Sequence, residues 1–154
     1  MDEKIGIIRE YRKSDVAEEY KTIQSLLAYE VAKGITNNKK KASGARTLLR
    51  LHRALEFISA ILKKIRDSDN NKKFSAEAVQ AYDSTLARHH PWLVRKGVHV
   101  AMLMLPSRPE LMKKLNIDDS PEKMATLTEL IEELNKIFDV TEQLYAKDKL
   151  LDLP

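Results

Sequence analysis

Cysteine is absent from the 154 residues, and glycine and proline are scarce, with four and five residues. Without cysteine the chain forms no disulfide and offers no thiolate for catalysis or metal binding, which is compatible with a reducing compartment. Because turn-forming residues are scarce while 43% of the residues are hydrophobic, we expect long regular elements joined by few turns.

Long apolar runs and a signal-peptide pattern are also missing from this sequence. The longest apolar run, residues 98–105, contains His99 and is far too short to cross a bilayer. The first ten residues, MDEKIGIIRE, begin with acidic side chains and contain no apolar core, so they do not form a signal-peptide pattern. We therefore expect a cytosolic protein.

The length and the charge set further bounds. A chain of 154 residues is the size of one domain with a sizeable core, and we expect a single domain over residues 1–154. The 27 basic and 23 acidic residues leave a net charge of +4. This mild excess can assist transient docking on an anionic membrane surface, but it is weak support for a nucleic-acid partner, and we expect none.

Residues 43–66, SGARTLLRLHRALEFISAILKKIR, predict one long helix that Ser43 can cap. Positions at helical spacing form a stripe that faces a core: Leu48, Leu51, His52, Leu55, Ile58, Ser59, Leu62 and Ile65. Three arginines cluster on the opposite side: Arg46, Arg50 and Arg53. That side turns apolar at Phe57 and Ile61. Such a surface suits a ligand with an anionic head and an apolar tail; the alternative is an exposed arginine-rich turn on an ordinary bundle helix.

Helical periodicity covers the rest of the chain. Further helices are predicted over residues 2–12, 15–34, 75–86, 92–105, 110–115 and 121–145. Asp15 and Glu18 form a capping pair for the second helix, and Ser75 caps the helix after the turn at 67–73. The helix over 92–105 is apolar all round after Lys96, so we expect it to be the most buried, with a strand as the alternative.

The result is an all-α domain of two packed layers. The loop TNNKKKAS separates the second helix from the long one. Its lysines, residues 39–41, are interpreted as solvated, with contact to lipid phosphates as the alternative.

Few residues are candidates for catalysis or metal binding. His89 and His90 are adjacent and point in different directions, so they cannot grip a metal together. His52 and His99 lie within core stripes and are interpreted as buried, hydrogen-bonded imidazoles. No Gly-rich phosphate loop or G-x-S-x-G motif is present. We expect neither an enzyme nor a cofactor or metal, and a helix-turn-helix is disfavoured because no second recognition element accompanies the arginines.

Three blocks carry a resemblance: GARTLLRLHRALEFI, LARHHPWLVRKGVHVAMLMLPSR and the ending LYAKDKLLDLP. In this order they resemble the glycolipid transfer protein family, most closely its ceramide-1-phosphate transfer branch, and EYKTIQSLLAYE resembles the family's preceding helix. The resemblance covers nearly all of the chain. It implies a two-layer helical sandwich, a monomer, that encloses the lipid chains in an apolar interhelical pocket, keeps the headgroup at a surface site, and carries a sphingolipid between membranes without making or breaking a bond.

The resemblance assigns roles to individual residues. Arg46 and Arg50 match the branch's phosphate-binding arginines, and Lys4 falls where the branch has a phosphate-binding lysine. Arg46 stands where sugar-binding relatives have a tryptophan, which favours a phosphate because the guanidinium fork matches phosphate oxygens. His90 matches the histidine that binds the sphingoid amide carbonyl, and Trp92 matches the aromatic of the membrane-docking face.

Other positions match the family pattern less clearly. Arg53 follows the family pattern, and His89 stands where the branch usually has tyrosine, so both are accessory candidates. The family domain begins with another long helix and the start of a second, which this sequence lacks. The amide-binding aspartate would fall before Met1, since Asp2 and Glu3 come about two to three residues late and face other sides of the helix. We therefore expect an N-terminally shortened domain in which the helix over 98–105 is partly uncovered.

Three hypotheses follow for the function. The first is a ceramide-1-phosphate carrier, and the second is a glycolipid carrier of the same fold, which Arg46 disfavours. The third is a helical module that senses lipid or binds an acidic partner protein without transferring lipid.

Overall fold

The computed structural model describes residues 2–38, 42–69 and 73–154. Within these ranges the chain forms seven α-helices and no strand, which confirms the all-α prediction. The helices are α1 (Asp2–Tyr11), α2 (Ile23–Lys33), α3 (Gly44–Asp67), α4 (Phe74–Ser84), α5 (Trp92–Met102), α6 (Arg108–Lys114) and α7 (Pro121–Lys147), with a 3₁₀ turn at Leu86–His89. The predictions for the lysines at 39–41 and for the centre of the turn, residues 70–72, lie outside the described residues.

The chain divides into two compact units. The first contains Met1–Arg53 and Ile137–Pro154, and the second contains Ala54–Lys136. Helices α3 and α7 each supply residues to both units. The single domain expected over residues 1–154 stays a prediction.

The core of the first unit is built on buried aromatic and aliphatic side chains: Tyr20, Leu26, Leu27, Ala45, Leu49, Tyr145 and Leu150. Tyr11 stacks on Tyr20 with 4.3 Å between the ring centroids, and Tyr145 donates to the Ala45 carbonyl at 2.7 Å. A Cβ added to Gly44 would lie 2.7 Å from Tyr20 Cε1, which real Cβ atoms almost never approach. The sequence therefore needs glycine where α3 begins against this core.

The core of the second unit is smaller and surrounds Ile65, Phe74, Ala78 and Met112. Beside it Arg108, only 3% exposed, donates from Nε to the Ile65 carbonyl at 2.5 Å and from Nη2 to the Arg66 carbonyl at 3.5 Å. Its Nη2 also donates to Asp119 Oδ1 at 2.7 Å. A guanidinium at these last carbonyls of α3 satisfies orphan acceptors and complements the negative end of the helix dipole.

Helix α2 begins at Ile23, so its predicted start at Asp15 is wrong. Thr22 and Ser25 form a capping box there, with Ser25 N donating to Thr22 Oγ1 at 3.1 Å. Over residues 13–21 several backbone hydrogen bonds instead join residues three apart, such as Ala17 N to Ser14 O at 3.1 Å. Tyr20 is nevertheless buried in this stretch, although no continuous helix forms there. The helix over 75–86 is also displaced: α4 begins at Phe74 and Lys73 is its N-cap, so Ser75 is not the cap.

Helix α5 was expected to be the most buried, and that prediction is wrong. It has no buried residue, and its large apolar side chains are exposed: Trp92, Leu93, Val94 and Val100, followed beyond its end by Leu103 and Met104. The helix contacts α4, where His99 lies 2.8 Å from Asp83 Oδ1, and Val98, His99 and Met102 are partly buried. An all-round apolar composition shows what a helix can bury, but neighbouring elements decide what it does bury.

Candidate functional site

The first turn of α3 has all its backbone amides satisfied from within the protein. The buried Glu30 carboxylate accepts from Gly44 N at 2.6 Å and Ala45 N at 3.0 Å, and Tyr20 Oη donates to it at 2.6 Å. As predicted, Ser43 caps the helix: its Oγ accepts from Arg46 N at 3.1 Å. Because these amides already have partners, an anion at this end of α3 must be bound by side chains.

Arg46 and Arg50 provide such side chains, one helical turn apart on α3. Arg46 is partly buried, and its Nη1 donates to the neutral Asn37 Oδ1 at 3.3 Å; Arg50 is exposed. Among the described residues neither guanidinium pairs with a carboxylate, and the first turn of α3 contains no acidic residue. The buried Glu30 carboxylate offsets the helix dipole, but the two neighbouring guanidiniums have no carboxylate partner of their own among the described residues, which is typical of an anion-binding site.

The other cations predicted for the site lie in the same compact unit. Lys4 lies on α1 and is partly buried. Arg53 is committed to the end of the chain, because its Nη2 donates to the Leu151 carbonyl at 2.8 Å and the Leu153 carbonyl at 2.9 Å. Arg53 therefore has a clear structural task, holding the residues after α7.

A small recess in the first unit has a volume of about 170 Å³. It is lined by Tyr11, Ser14, Asp15, Val16, Tyr20, Tyr29, Glu30, Ile35, Asn38 and Ser43. Its wall is therefore aromatic and polar, and Ser43 and Glu30 connect it to the start of α3. The apolar interhelical pocket expected for lipid chains stays a prediction.

His90 lies in the second unit, between the 3₁₀ turn and α5. Proline at the next position restricts it to an extended backbone, and φ and ψ are −112° and 138°. Its Nδ1 lies 2.7 Å from Tyr82 Oη, and Tyr82 is buried. The imidazole of His90 is thus fixed through Nδ1 by a hydrogen bond to a buried side chain of the same unit.

The residues on either side of His90 are exposed. The His89 ring accepts from Arg88 Nε at Nε2 over 3.1 Å. Trp92, at the start of α5, is 64% exposed, and Lys96 Nζ lies 5.9 Å from the centre of its ring. An exposed indole with a cation beside it suits the boundary between lipid headgroups and acyl chains.

The two histidines expected in the core differ from each other. His52 is buried, stacks on Phe138 with 4.2 Å between centroids, and lies 2.6 Å from Glu142 Oε2. His99 is only partly buried and lies 2.8 Å from Asp83 Oδ1. In the ranges that the structure describes, no three metal-ligating side chains come together.

Sequence reasoning missed Glu30 and Tyr82. Glu30 follows Ile23, Leu26 and Leu27 by seven, four and three residues, so it lies on the apolar stripe of α2. It also stands near the C-terminal end of that helix, where a carboxylate is disfavoured by the dipole. These two signals together indicate a carboxylate with a buried partner. Tyr82 lies on the apolar side of α4, and nothing in the sequence indicates its contact with His90.

These features define an all-helical protein in which, among the described residues, two arginines on one long helix have no carboxylate partner. Residues 1–117 match the family described as Glycolipid transfer protein. The chain is 39% identical to the ceramide-1-phosphate transfer protein of Danio rerio over 155 residues, which covers 98% of this chain and 74% of the relative. This chain belongs to the glycolipid transfer protein family.

Solved structures agree with this assignment. The apo-form of mouse ceramide-1-phosphate transfer protein superposes with a TM-score of 0.90 at 36% identity, over 98% of this chain and 74% of the mouse chain. The human protein in complex with 12:0 ceramide-1-phosphate gives a TM-score of 0.89 at 32% identity, over 99% and 75% of the two chains. The predicted family and fold class are therefore confirmed.

None of the described helices is long and apolar enough to span a bilayer.

Proposed function

We propose that this chain binds ceramide-1-phosphate through its phosphate and carries the lipid between membranes without a chemical reaction. The observation that carries this proposal is the pair Arg46 and Arg50, exposed or partly exposed and without a carboxylate partner among the described residues. Guanidinium forks match phosphate oxygens, whereas a sugar headgroup would need a stacking face and neutral hydrogen-bonding groups. The similarity to proteins named for this lipid supports the same ligand.

The remaining site residues fit the other parts of such a ligand. Lys4 is a third candidate for the phosphate. His90 has a ring nitrogen available for the sphingoid amide carbonyl, since only its Nδ1 is engaged in the described residues. The lipid chains are assigned to an apolar interhelical pocket.

Membrane docking is assigned to α5. Trp92 and Leu93 are 64% and 74% exposed, and Arg95 and Lys96 follow in the next turn with exposed side chains. Insertion of the apolar side chains with the cations against anionic headgroups would give transient, peripheral contact. We propose further that the protein is a cytosolic monomer that visits membrane surfaces.

The test is a vesicle-to-vesicle transfer assay with Arg50→Leu. Loss of one charge-assisted phosphate contact, about 1.5–3 kcal/mol, lowers affinity roughly 10- to 100-fold. Transfer of ceramide-1-phosphate should fall accordingly, while circular dichroism and thermal unfolding stay at wild-type values because the side chain is exposed.

Arg12→Leu is the matched control, since it removes the same charge from an exposed arginine elsewhere in the first unit. It should transfer lipid normally. Transfer at the wild-type rate by Arg50→Leu, or an equal loss in both variants, would remove the phosphate clamp from the proposal.

A further inference from the structure

Only one of the two ring nitrogens of His90 has a hydrogen-bond partner in the described part of the chain. Nδ1 lies 2.7 Å from Tyr82 Oη, and Nε2 has none. A neutral imidazole carries a single proton, and its location decides whether Nε2 is a donor or an acceptor. This matters for any ligand that meets Nε2, because an amide carbonyl oxygen accepts hydrogen bonds and cannot donate them.

The Tyr82 hydroxyl determines whether the His90 ring carries its proton on Nδ1 or on Nε2. Tyr82 is 1% exposed, and within the described ranges His90 is the hydrogen-bond partner of its hydroxyl. If Nδ1 carried the proton and donated it, the hydroxyl hydrogen would be buried without an acceptor, which is costly. If the hydroxyl donates to Nδ1, both groups are satisfied. Burial, and then the charge of Asp83, raise the pKa of Tyr82, so the hydroxyl keeps its proton at neutral pH.

Both partners are held in place. The Tyr82 ring lies edge-to-face with Phe57, at 6.3 Å and 86°, and with His99, at 5.9 Å and 84°. On the other side, the following Pro91 fixes the backbone of His90 in the extended region, and His90 N donates to the Ala87 carbonyl at 3.1 Å. The hydrogen bond therefore joins two constrained groups and fixes the orientation of the imidazole.

We infer that Tyr82 is a positioning residue for lipid binding, because its hydroxyl donates to Nδ1 of His90 and keeps the ring proton on Nε2. Where the proposed function puts the sphingoid amide at Nε2, the fixed proton makes this nitrogen a donor to the carbonyl oxygen. The ligand part of this inference rests on the proposed function, whereas the proton's location is a property of the lipid-free protein.

The first measurement is a nitrogen-15 NMR spectrum of the histidines without lipid, at about pH 8, where an ordinary imidazole is neutral. The His90 signals are assigned with His90→Gln. We expect the proton on Nε2 in the wild type, and a changed Nδ1 resonance with mixed tautomers in Tyr82→Phe. The control Tyr29→Phe should leave the pattern unchanged. A wild-type ring protonated on Nδ1, or an unchanged spectrum in Tyr82→Phe, overturns the inference.

The second measurement is the affinity for short-chain ceramide-1-phosphate. Without the hydroxyl the imidazole can occupy two orientations related by a ring flip, and it can carry its proton on either nitrogen. Only one of these four states presents Nε2–H to the amide carbonyl oxygen. Affinity should therefore fall up to about fourfold in Tyr82→Phe, and should not change further when Tyr82→Phe is added to His90→Ala. An equal loss in the His90→Ala background would show that Tyr82 acts through general packing, which contradicts the inference.

The two hypotheses fail in different ways. A wild-type chain that does not bind ceramide-1-phosphate overturns the proposed function. A His90 ring with its proton on Nδ1 overturns the positioning role of Tyr82 even when the lipid binds.

Discussion

Glu30 is the residue whose replacement should most affect the part of the fold that presents the arginines. Its carboxylate is fully buried and accepts three hydrogen bonds, from Tyr20 Oη, Gly44 N and Ala45 N. It also places a negative charge at the positive end of the α3 dipole. It therefore acts as the N-terminal counterpart of the buried Arg108 at the C-terminal end of the same helix.

In Glu30→Gln the amide oxygen can keep the contacts of Oε1 with Tyr20 and Gly44, but the amide nitrogen then faces Ala45 N, and two donors meet. One buried N–H loses its acceptor, at about 1–3 kcal/mol, and the two remaining bonds lose their charge assistance. The favourable charge–dipole interaction is lost as well, while the smaller desolvation cost of a neutral amide offsets part of the total. We expect a net loss of roughly 2–4 kcal/mol, or about 5–15 °C in Tm for a chain of this length.

Thermal and urea unfolding followed by circular dichroism measure this effect. Glu10→Gln is the control, because Glu10 is exposed on α1, and it should change the unfolding free energy by less than about 0.5 kcal/mol. If Glu30→Gln is as stable as this control, the carboxylate does not hold the start of α3 and the reasoning above is refuted.

Two further predictions concern the far end of α3 and the buried tyrosines. Arg108→Met should cost roughly 2–3 kcal/mol in chemical unfolding, because the buried Ile65 carbonyl loses its donor, and Arg88→Met, at an exposed ion pair with Glu56, should cost less than about 1 kcal/mol; equal costs would contradict the capping role. For the tyrosines, burial raises the pKa of Tyr20 and of Tyr145 above the usual 10.0, with the hydroxyl contact to Glu30 adding to the effect at Tyr20 and the charge of Glu30 at Tyr145. The unfolded chain therefore ionises first, so stability is full below pH 10.0 and falls as the pH rises above that value. A urea midpoint that stays constant to about pH 11 would contradict this.

The existence of the helices could be predicted because each one carries apolar residues at helical spacing. Ser43 marked the start of α3 correctly, since a hydroxyl cap is a local signal. The start of α2 was missed because Asp15 and Glu18 have the spacing of a capping pair, but the Thr22–Ser25 capping box lies where the helix begins. When a sequence contains two possible capping pairs, their spacing alone does not decide which of them forms the N-terminus of the helix.

The candidate site was predictable in part. The asymmetry of one helix drew attention to Arg46, Arg50 and Arg53 together, whereas the family resemblance singled out Arg46, Arg50, His90 and Trp92; their roles in lipid binding stay predictions. The buried charged residues Glu30 and Arg108 could not be predicted in the same way, because a charged side chain is expected to be exposed unless its buried partners are known. Glu30 and Arg108 have hydrogen-bond partners at the ends of α3, distant in sequence, as well as Tyr20 and Asp119, and these contacts permit their burial. The exposure of α5 also depends on neighbours, which a hydrophobic pattern does not contain.

The most direct test of the phosphate clamp is native mass spectrometry of the purified chain offered equal amounts of ceramide-1-phosphate, ceramide and a glucosyl ceramide. The three lipids share their apolar chains and amide and differ in the headgroup, so selection reports on Arg46 and Arg50. We predict that the complex carries ceramide-1-phosphate and that Arg50→Leu loses this selection. Equal occupancy by the three lipids, a preference for the sugar lipid, or a chain that stays empty would contradict the account.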